Sequence, residues 1–362
     1  MGLQHLLVVV FIPTCTSLSL QHVNEEWNLF KLKYNRSFTS TEEENYRFSV
    51  FVKNLKTIIL HNTAADNGHS SYWMGINNFA DLTDKEFEEQ YTGLKIKPRT
   101  KTIDDSLIEQ DRVNLTSLPK EVDWRKNNCV TRVKFQGHCG SCYAFAATGA
   151  LEGHTCIKTK KLVSLSEQNI IDCTDNKLYT NMGCIGGQAE NAYIYVEENG
   201  GIDTEKSYPY AQEVGECKFS KENIGATAKG YKDIPYRNEF ALQENNNSQY
   251  VHKTHQCQQS LQTSKAVAWI GPVSVCIDSR GTKFYSHGIY DGVDKTDLST
   301  CSSDEVNHAM LVIGYGTSTN GKDYWLLKNS WDTTWGLEGY MKLVRNKRNR
   351  CGITTIASYP IV

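Results

Sequence analysis

The sequence predicts an α+β protein in which a helical half packs against a strand-rich half, with a separate helical region before them. Apolar residues recur at helical spacing in the first two hundred residues, whereas short apolar strands follow after residue 265. Cysteines also divide the 362-residue chain, because residues 18–117 hold none and residues 118–362 hold eleven of the twelve. The N-terminal region is therefore expected to be a distinct domain.

Composition limits the class of protein. With 39 basic and 41 acidic residues and 39% hydrophobic residues, the chain is unlike collagen, a disordered chain or a multi-span membrane protein. It has no dense block of Lys or Arg, which argues against nucleic acid as a partner. Twelve cysteines are typical of a protein that folds in an oxidising compartment.

The first residues are typical of a secretory signal peptide. An apolar run at 6–12 is followed by small residues at 15–17, which predicts a signal over residues 1–17 that is cleaved near Ser17. A membrane anchor is the alternative, but a span needs about 20 apolar residues. Gln21 and His22 end this stretch too early, and no later stretch is long enough to span a membrane.

The N-terminal region, residues 18–117, reads as two helices and a loose tail. Trp27 and Phe30 begin one helical stripe, and a second helix is expected over 41–62. On that helix Glu43 and Arg47 have the i, i+4 spacing of an ion pair. Residues 93–117 are polar and without periodicity, which indicates an extended or loose segment.

Helices are expected next, and strands after them. A helix should run from Cys142 to about His154, and Ser164 with Glu167 has the spacing of a capping box that opens another. A third helix is expected over 188–198, followed by two glycines. The polar run 244–264 reads as a surface loop. The strands expected later in the chain are 273–277, 308–315, 324–328 and 340–344.

Cys142 is the first candidate for chemistry. It begins an apolar helix after Gly140 and Ser141, where the helix dipole and backbone N–H groups favour the reactive thiolate. Alone, such a cysteine is more often half of a disulfide or an inert core residue. Gln136, six residues earlier, could donate to a tetrahedral oxyanion together with the Cys142 amide, or could be an ordinary surface glutamine.

A thiolate nucleophile needs a base that accepts and later returns a proton. His308 opens a predicted strand, and Asn329 at the end of the next strand could orient its ring, with Trp331 shielding that bond from water. Taken singly, a strand-end histidine and an Asn-Ser turn are usually structural. Together with the cysteine they favour a cysteine hydrolase.

These motifs resemble the papain family of cysteine proteases, in its cathepsin L-like branch (cathepsins L, S and K). The resemblance covers nearly the whole chain. The helix over 43–62 fits the propeptide pattern called ERFNIN, and 75–81 fits a second propeptide motif. Landmarks of the mature domain are present at 136–145, 183–187, 207–210, 271–275, 328–331 and 351–353.

The resemblance implies an inhibitory propeptide over 18–117, whose tail runs backwards through the cleft. It also implies a mature peptidase over 118–362, with a helical lobe that carries Cys142 and a β-barrel-like lobe that carries His308 and Asn329. Gln136 would be the oxyanion donor. Expected disulfides are Cys139–Cys184, Cys173–Cys217 and Cys301–Cys351. Expected substrate-binding residues are Gly187, Gln188, Ala189, Cys276, Val306, Asn307, Ala309, Trp335 and Ile356.

The pocket residues are not acidic, and Ile356 should make the floor shallow, so Leu or Val is expected two places before the cut. The resemblance also implies protein or peptide substrates, cystatin-type inhibitors as partners, and no cofactor or metal. The enzyme would be a lysosomal or secreted zymogen, activated when propeptide carboxylates such as Asp81, Glu86 and Glu88 lose their charge in acid. Sequons at Asn35, Asn114 and Asn246 suit a secretory route.

The chain departs from the family pattern at three places: Tyr143 replaces the usual Trp, Asp332 replaces the usual Gly, and loop 244–264 is an insertion. The departures leave room for a catalytically silent secreted homologue that acts as a binding or inhibitory protein. A zinc-binding module is a weaker alternative, because Cys139-x2-Cys142 has no matching second pair. Sequence leaves open whether Cys129, Cys156, Cys257 and Cys276 pair.

Overall fold

The structure is a computed structural model that describes residues 19–94, 119–234, 266–293 and 300–362. The signal peptide, almost all of segment 93–117 and loop 244–264 lie outside these ranges, as do the sequons at Asn114 and Asn246. Within the described ranges no helix combines the length and the hydropathy that crossing a membrane requires.

The N-terminal region forms a small helical domain. Helix α1 spans Leu20–Lys33, α2 Thr41–Asp66, strand β1 Tyr72–Met74 and helix α3 Asp84–Tyr91. The Ser40 side chain caps α2, and this helix extends four residues beyond its predicted end. Aromatic side chains hold α1 on α2, since the Trp27 ring lies 5.2 Å from that of Phe51. The predicted helical stripe is therefore the core of this domain.

The predicted Glu43–Arg47 ion pair is wrong. Glu43 Oε2 instead accepts hydrogen bonds from the backbone N–H and the hydroxyl of Thr39, at 2.9 and 2.6 Å. Arg47 Nη1 lies 2.8 Å from Glu86 Oε1 on α3. Glu86 is already fixed there by a capping box with Thr83, so it presents an oriented carboxylate, whereas exposed i, i+4 pairs gain little.

The N-terminal domain docks on the strand-rich half of the molecule. Strand β1 pairs antiparallel with β7, Tyr285–Gly288. The Phe79 and Phe87 rings meet the Trp331 ring edge-on, with centroids 5.6 and 5.0 Å apart. Apolar side chains of the two domains thus share one core.

The helical lobe contains α4 (Cys142–Thr159), α5 (Glu167–Thr174) and α6 (Ala189–Asn199). All three were predicted, but α4 runs five residues further than expected, to Thr159, and Lys160 forms a left-handed C-cap. Helix α6 ends at Gly200, whose φ of 80° suits a glycine C-cap. The helices share a buried core around Tyr143, Leu151, Ile170, Tyr193 and Val196.

The predicted capping box at Ser164 is wrong. Ser166 caps α5, its side chain accepting from the Asn169 backbone N–H at 2.9 Å. Glu167, the other half of the expected box, is buried and lies 2.6 Å from Lys134 Nζ. Lys134 Nζ also lies 3.2 Å from Glu152, so Glu167, the first residue of α5, belongs to a buried ion-pair cluster and not to a capping box.

The second lobe is an antiparallel sheet in the order β10-β9-β8-β6-β11-β5, with β2 also on β8. A separate β3–β4 pair lies beside the helical lobe. All four predicted strands are confirmed, β8 and β9 being slightly longer. The strands are β2 Val122–Asp123, β3 Ile202–Asp203, β4 Ile224–Ala226, β5 Tyr231–Asp233, β6 Val273–Ile277, β8 His308–Thr317, β9 Asp323–Lys328, β10 Tyr340–Val344 and β11 Ala357–Pro360.

Disulfides tie both lobes. The three expected bonds, Cys139–Cys184, Cys173–Cys217 and Cys301–Cys351, are present. A fourth joins Cys129 to Cys156, which sequence had left open. Among the described cysteines, Cys142 and Cys276 remain reduced, and Cys257 lies outside the described residues.

Candidate active site

Cys142 is the first residue of α4 and is completely buried. Its Sγ accepts from the Ala309 backbone N–H at 3.4 Å, so the sulfur of the helical lobe meets the start of β8. Burial raises the pKa of the thiol, and the amides of Ala309, Gly93, Tyr143 and Cys142 itself lower it by less. Burial therefore favours the neutral thiol at this position.

His308 and Asn329 are in contact. His308 Nε2 lies 2.8 Å from Asn329 Oδ1, and the Trp331 ring stacks on the imidazole with centroids 4.4 Å apart. The amide oxygen can only accept, so Nε2 carries the proton and Nδ1 is left as the acceptor, without a hydrogen-bond partner. Complete burial lowers the pKa of His308 to about 4, although the bond to Asn329 opposes this.

The N-terminal region crosses over Cys142. The Gly187 N–H donates to Gly93 O at 3.0 Å, and the Leu94 N–H donates to Asn307 O at 3.2 Å. Leu94 forms a parallel bridge with Gly187. Gly93 passes so close to Gly140 that an added Cβ would lie 1.9 Å from its carbonyl oxygen. Burial of the Cys142 thiol thus comes partly from this crossing segment.

Gln136 also contacts the N-terminal region, and both polar atoms of its side-chain amide make hydrogen bonds. Its Nε2 donates to Cys139 O at 2.8 Å and to Tyr91 O at 3.3 Å, and its Oε1 accepts from Ser330 Oγ at 2.7 Å. Ser330 was missed by sequence reasoning, although it follows Asn329 directly. Tyr91 belongs to α3, so the N-terminal region occupies one hydrogen bond of the expected oxyanion donor.

Four of the expected pocket residues form one apolar cluster beside Cys142. The Leu94 side chain packs into this cluster, which also contains Ala146, one helical turn after Cys142 and missed in the sequence. The expected members present are Cys276, Val306, Ala309 and Ile356. The buried Glu190 carboxylate lies near this cluster, because its charge adds to the burial that raises the pKa of Cys276.

The other expected substrate-binding residues lie outside this cluster. Asn307 and Gly187 contact the crossing segment through their backbones. Ala189 packs in the core of the helical lobe, and the Gln188 N–H donates to Asn181 Oδ1 at 2.9 Å. Trp335 is buried edge-on against Trp331.

The two departures from the family pattern near the site, Tyr143 and Asp332, each form a local hydrogen bond. The Tyr143 hydroxyl donates to Gly183 O at 3.1 Å. Asp332 adopts a left-handed backbone, with φ of 65°, and its carboxylate accepts from the Thr333 N–H at 2.7 Å. Asp reaches that region at modest cost because its side chain bonds locally.

A metal centre finds no support in the part of the chain that the structure describes, which holds no group of three or more potential His, Cys, Asp or Glu ligands. Cys139 is bonded to Cys184, so it is not available as a thiolate ligand beside Cys142.

Comparison with known proteins agrees with this geometry. The sequence profile of papain family cysteine proteases matches residues 118–361, and that of the cathepsin propeptide inhibitor domain matches residues 27–87. A cathepsin L-like peptidase of Aedes aegypti is 43% identical, with 99% of each chain covered, and cathepsin L of Sarcophaga peregrina is 42% identical over 95% of this chain and 94% of its own.

A solved structure gives the same result. The digestive procathepsin L2 proteinase from Tenebrio molitor larval midgut superposes with a TM-score of 0.79 at 35% identity, covering 94% of this chain and 100% of that one. The chain therefore belongs to the papain family of cysteine proteases, as a cathepsin L-like zymogen with its inhibitory propeptide in place.

Proposed function

We propose that the mature protein is a cysteine endopeptidase in which Cys142 is the nucleophile, His308 the general base and Asn329 the group that orients the imidazole. The observation that carries this proposal is the crossing of Gly93 and Leu94 over Cys142, where they use the hydrogen bonds of Gly187 and Asn307 that a substrate backbone needs.

The pair becomes charged only after the propeptide leaves. Burial is the largest cause of both pKa shifts, raising that of Cys142 and lowering that of His308 to about 4. Solvent that enters the open cleft reduces both shifts, so the thiol proton can pass to His308 Nδ1. The resulting thiolate and imidazolium stabilise each other and titrate as one pair.

The reaction follows from that charge state. The Cys142 thiolate adds to the peptide carbonyl carbon, and the oxyanion accepts from Gln136 Nε2 and the Cys142 N–H. The imidazolium of His308 gives its proton to the leaving amine as the C–N bond breaks. Water then adds to the thioester carbonyl while His308 takes the water proton. The Cys142 thiolate leaves as the carboxylic acid product forms, which restores the thiolate–imidazolium pair.

The apolar cluster is the pocket for the residue two places before the cut. Leu94 packs against Cys276, Val306, Ala309 and Ile356, so a Leu or Val side chain fits the same space. A peptide library with every residue at that place gives the readout. Dominance of Arg or Glu would contradict the pocket assignment.

Activation by acid depends on groups that hold the propeptide. Burial raises the pKa of Glu86, but hydrogen bonds from Thr83 and Arg47 lower it by more, so the net shift is downward. Its contribution to stability is therefore present above the ordinary value of 4.5 and is lost as pH falls through the depressed pKa.

Asp81 does not act as the sequence reasoning expected. Burial raises its pKa despite the Arg36 guanidinium 3.2 Å away. A carboxyl with a raised pKa binds its proton more tightly in the folded state, so acid favours the folded propeptide at this position. Acid loosening rests on Glu86 and on His138, an exposed side chain that contacts Gln90 and Tyr91 of the propeptide.

Desolvation lowers the pKa of His138, and the Arg36 charge adds to this. The released form therefore takes up the proton first as pH falls below 6.5, and binding of the propeptide weakens.

One experiment separates an active protease from a silent homologue. Acid-treated protein is incubated with a thiol-directed peptidyl epoxide, and labelling is measured beside hydrolysis of a Leu-Arg peptide. Wild type should hydrolyse the peptide and lose that activity once Cys142 is labelled. Cys142→Ala should show neither labelling nor hydrolysis. Unlabelled, inactive wild type would leave the binding or inhibitory homologue as the better description.

The secretory route, with a signal removed near Ser17 and a mature chain starting near Leu118, is part of the proposal. Sequencing the N-termini of the processed forms tests both boundaries. Blots of medium and of lysosomal fractions distinguish a secreted from a lysosomal enzyme. Binding of a cystatin to the mature form tests that class of partner.

A further inference from the structure

The hydroxyl of Tyr210 connects the two ends of the loop before the nucleophile. It donates to Gln136 O at 2.6 Å, and Ser141 Oγ lies 2.7 Å from it. A phenol has one proton, so with that proton given to Gln136 the Ser141 hydroxyl is the donor in the second bond. One side chain thus holds residues 136 and 141 at once.

The phenol ring is itself fixed. The Phe145 ring meets it edge-on with centroids 5.0 Å apart. The Tyr210 backbone N–H donates to Glu205 Oε1 at 3.1 Å. The hydroxyl therefore reaches the loop from a restrained position on the helical lobe.

The loop that Tyr210 holds carries both proposed oxyanion donors. Gln136 supplies its side-chain amide, and Cys142, next to Ser141, supplies its backbone N–H. Ser330 fixes the far end of the Gln136 side chain through Oε1, but the Gln136 carbonyl is held by Tyr210. Loss of this hydroxyl leaves a carbonyl without that bond in a residue that is fully buried.

We propose that Tyr210 is a positioning residue for the oxyanion site, because its hydroxyl sets the spacing between Gln136 and Ser141 and so between the two donors. The inference rests on the proposed protease activity. It concerns stabilisation of the tetrahedral state, whereas formation of the Cys142 thiolate does not need this bridge.

The test compares Tyr210→Phe with Tyr208→Phe in the activated enzyme. Tyr208 is the matched control, since its hydroxyl also makes two hydrogen bonds away from the loop, donating to Asp172 Oδ2 at 2.6 Å and accepting from the Lys218 N–H at 3.1 Å. Removing an oxyanion donor outright costs about 100-fold or more in kcat, and displacing two donors is expected to cost about tenfold. KM should change by less than about twofold, because ground-state binding is untouched.

Two inhibitors separate the steps. A peptide aldehyde forms a tetrahedral adduct that uses the oxyanion donors, so Tyr210→Phe should weaken its binding by about the same factor as kcat. Iodoacetamide alkylates the sulfur without forming an oxyanion, so Cys142 should be alkylated in Tyr210→Phe at the wild-type rate. Tyr208→Phe should leave kcat, the aldehyde affinity and the alkylation rate unchanged.

Wild-type kcat and aldehyde affinity in Tyr210→Phe would overturn the proposal, as would an equal loss of alkylation rate, which indicates a general structural role. If Tyr210→Phe does not fold, Ser141→Ala removes the other half of the bridge and decides the matter. It should lower kcat and aldehyde affinity by about threefold or more, and wild-type values would overturn the inference. Failure of the wild type to react with iodoacetamide or cleave peptide would instead contradict the proposed function.

Discussion

Substitution of Gly93 by Ala should open the zymogen at neutral pH. Gly93 lies directly on the Gly140 backbone, and a Cβ at residue 93 would lie 1.9 Å from Gly140 O and 2.3 Å from Gly140 C. Carbon contacts are normally about 3.5 Å, so the propeptide must rise by roughly 1.5 Å. Gly140 cannot retreat easily, because its own N–H is bonded to Cys184 O at 2.8 Å.

The displacement breaks the bonds that latch the segment. Gly187 N–H to Gly93 O and Leu94 N–H to Asn307 O, at 3.0 and 3.2 Å, would both be stretched. Each hydrogen bond contributes about 0.5–1.5 kcal/mol, so the free energy that holds the segment over the cleft falls by about 1–3 kcal/mol. Since 1.4 kcal/mol is a factor of ten, the open form should become about 5- to 150-fold more populated.

The assay is the rate at which the epoxide labels Cys142 in the uncut precursor at pH 7, counting only label at the precursor mass. Cys142 is completely buried, so labelling requires opening. The matched control is Gly75→Ala, whose added Cβ meets only the Ser286 side chain, at 3.3 Å, and it should label at the wild-type rate. A Gly93→Ala precursor that also labels at the wild-type rate would refute the reasoning.

Three further predictions concern other parts of the molecule. His138→Gln should move the pH midpoint of self-processing to lower values, because a group whose charging favours release is gone; gels over a pH series show this, and an unchanged midpoint would contradict it. Ile356→Ala should raise kcat/KM for Phe relative to Leu two places before the cut by about tenfold, and an unaltered ratio of the two peptides would argue against Ile356 as the floor. Replacing both Cys129 and Cys156 by Ala removes a link across 27 residues and should lower the free energy of unfolding by about 3 kcal/mol; a denaturant titration that finds under about 1 kcal/mol would show that the bond adds little.

Helices and strands could be predicted because their signals are local. Apolar spacing placed α2, α4 and α6 and the strands β6, β8, β9 and β10 within a few residues of their observed ends. Caps were harder to place. Both Ser164 and Ser166 could open α5, and Glu167, which would complete a capping box with Ser164, instead pairs with Lys134, 33 residues earlier in the chain.

The site could be assembled only in part from the sequence. Residue type and order indicated Cys142, His308, Asn329 and Gln136, because a thiolate, a base, an orienting amide and an oxyanion donor are a recognisable chemical set. Ser330 was not found, since nothing in the chain indicates that its hydroxyl meets Gln136 Oε1, 194 residues away.

The sequence by itself thus determined the family and most of the long elements, and it indicated the candidate reacting groups, because these depend on side-chain chemistry or on neighbours within a few turns. Only the tertiary structure decided that Arg47 pairs with Glu86, that Cys129 bonds to Cys156, and that burial shifts the pKa values of the Cys142 thiol and the His308 imidazole towards their neutral forms. Ion-pair partners and pKa values depend on distance and burial in three dimensions, and distant segments of the chain create both.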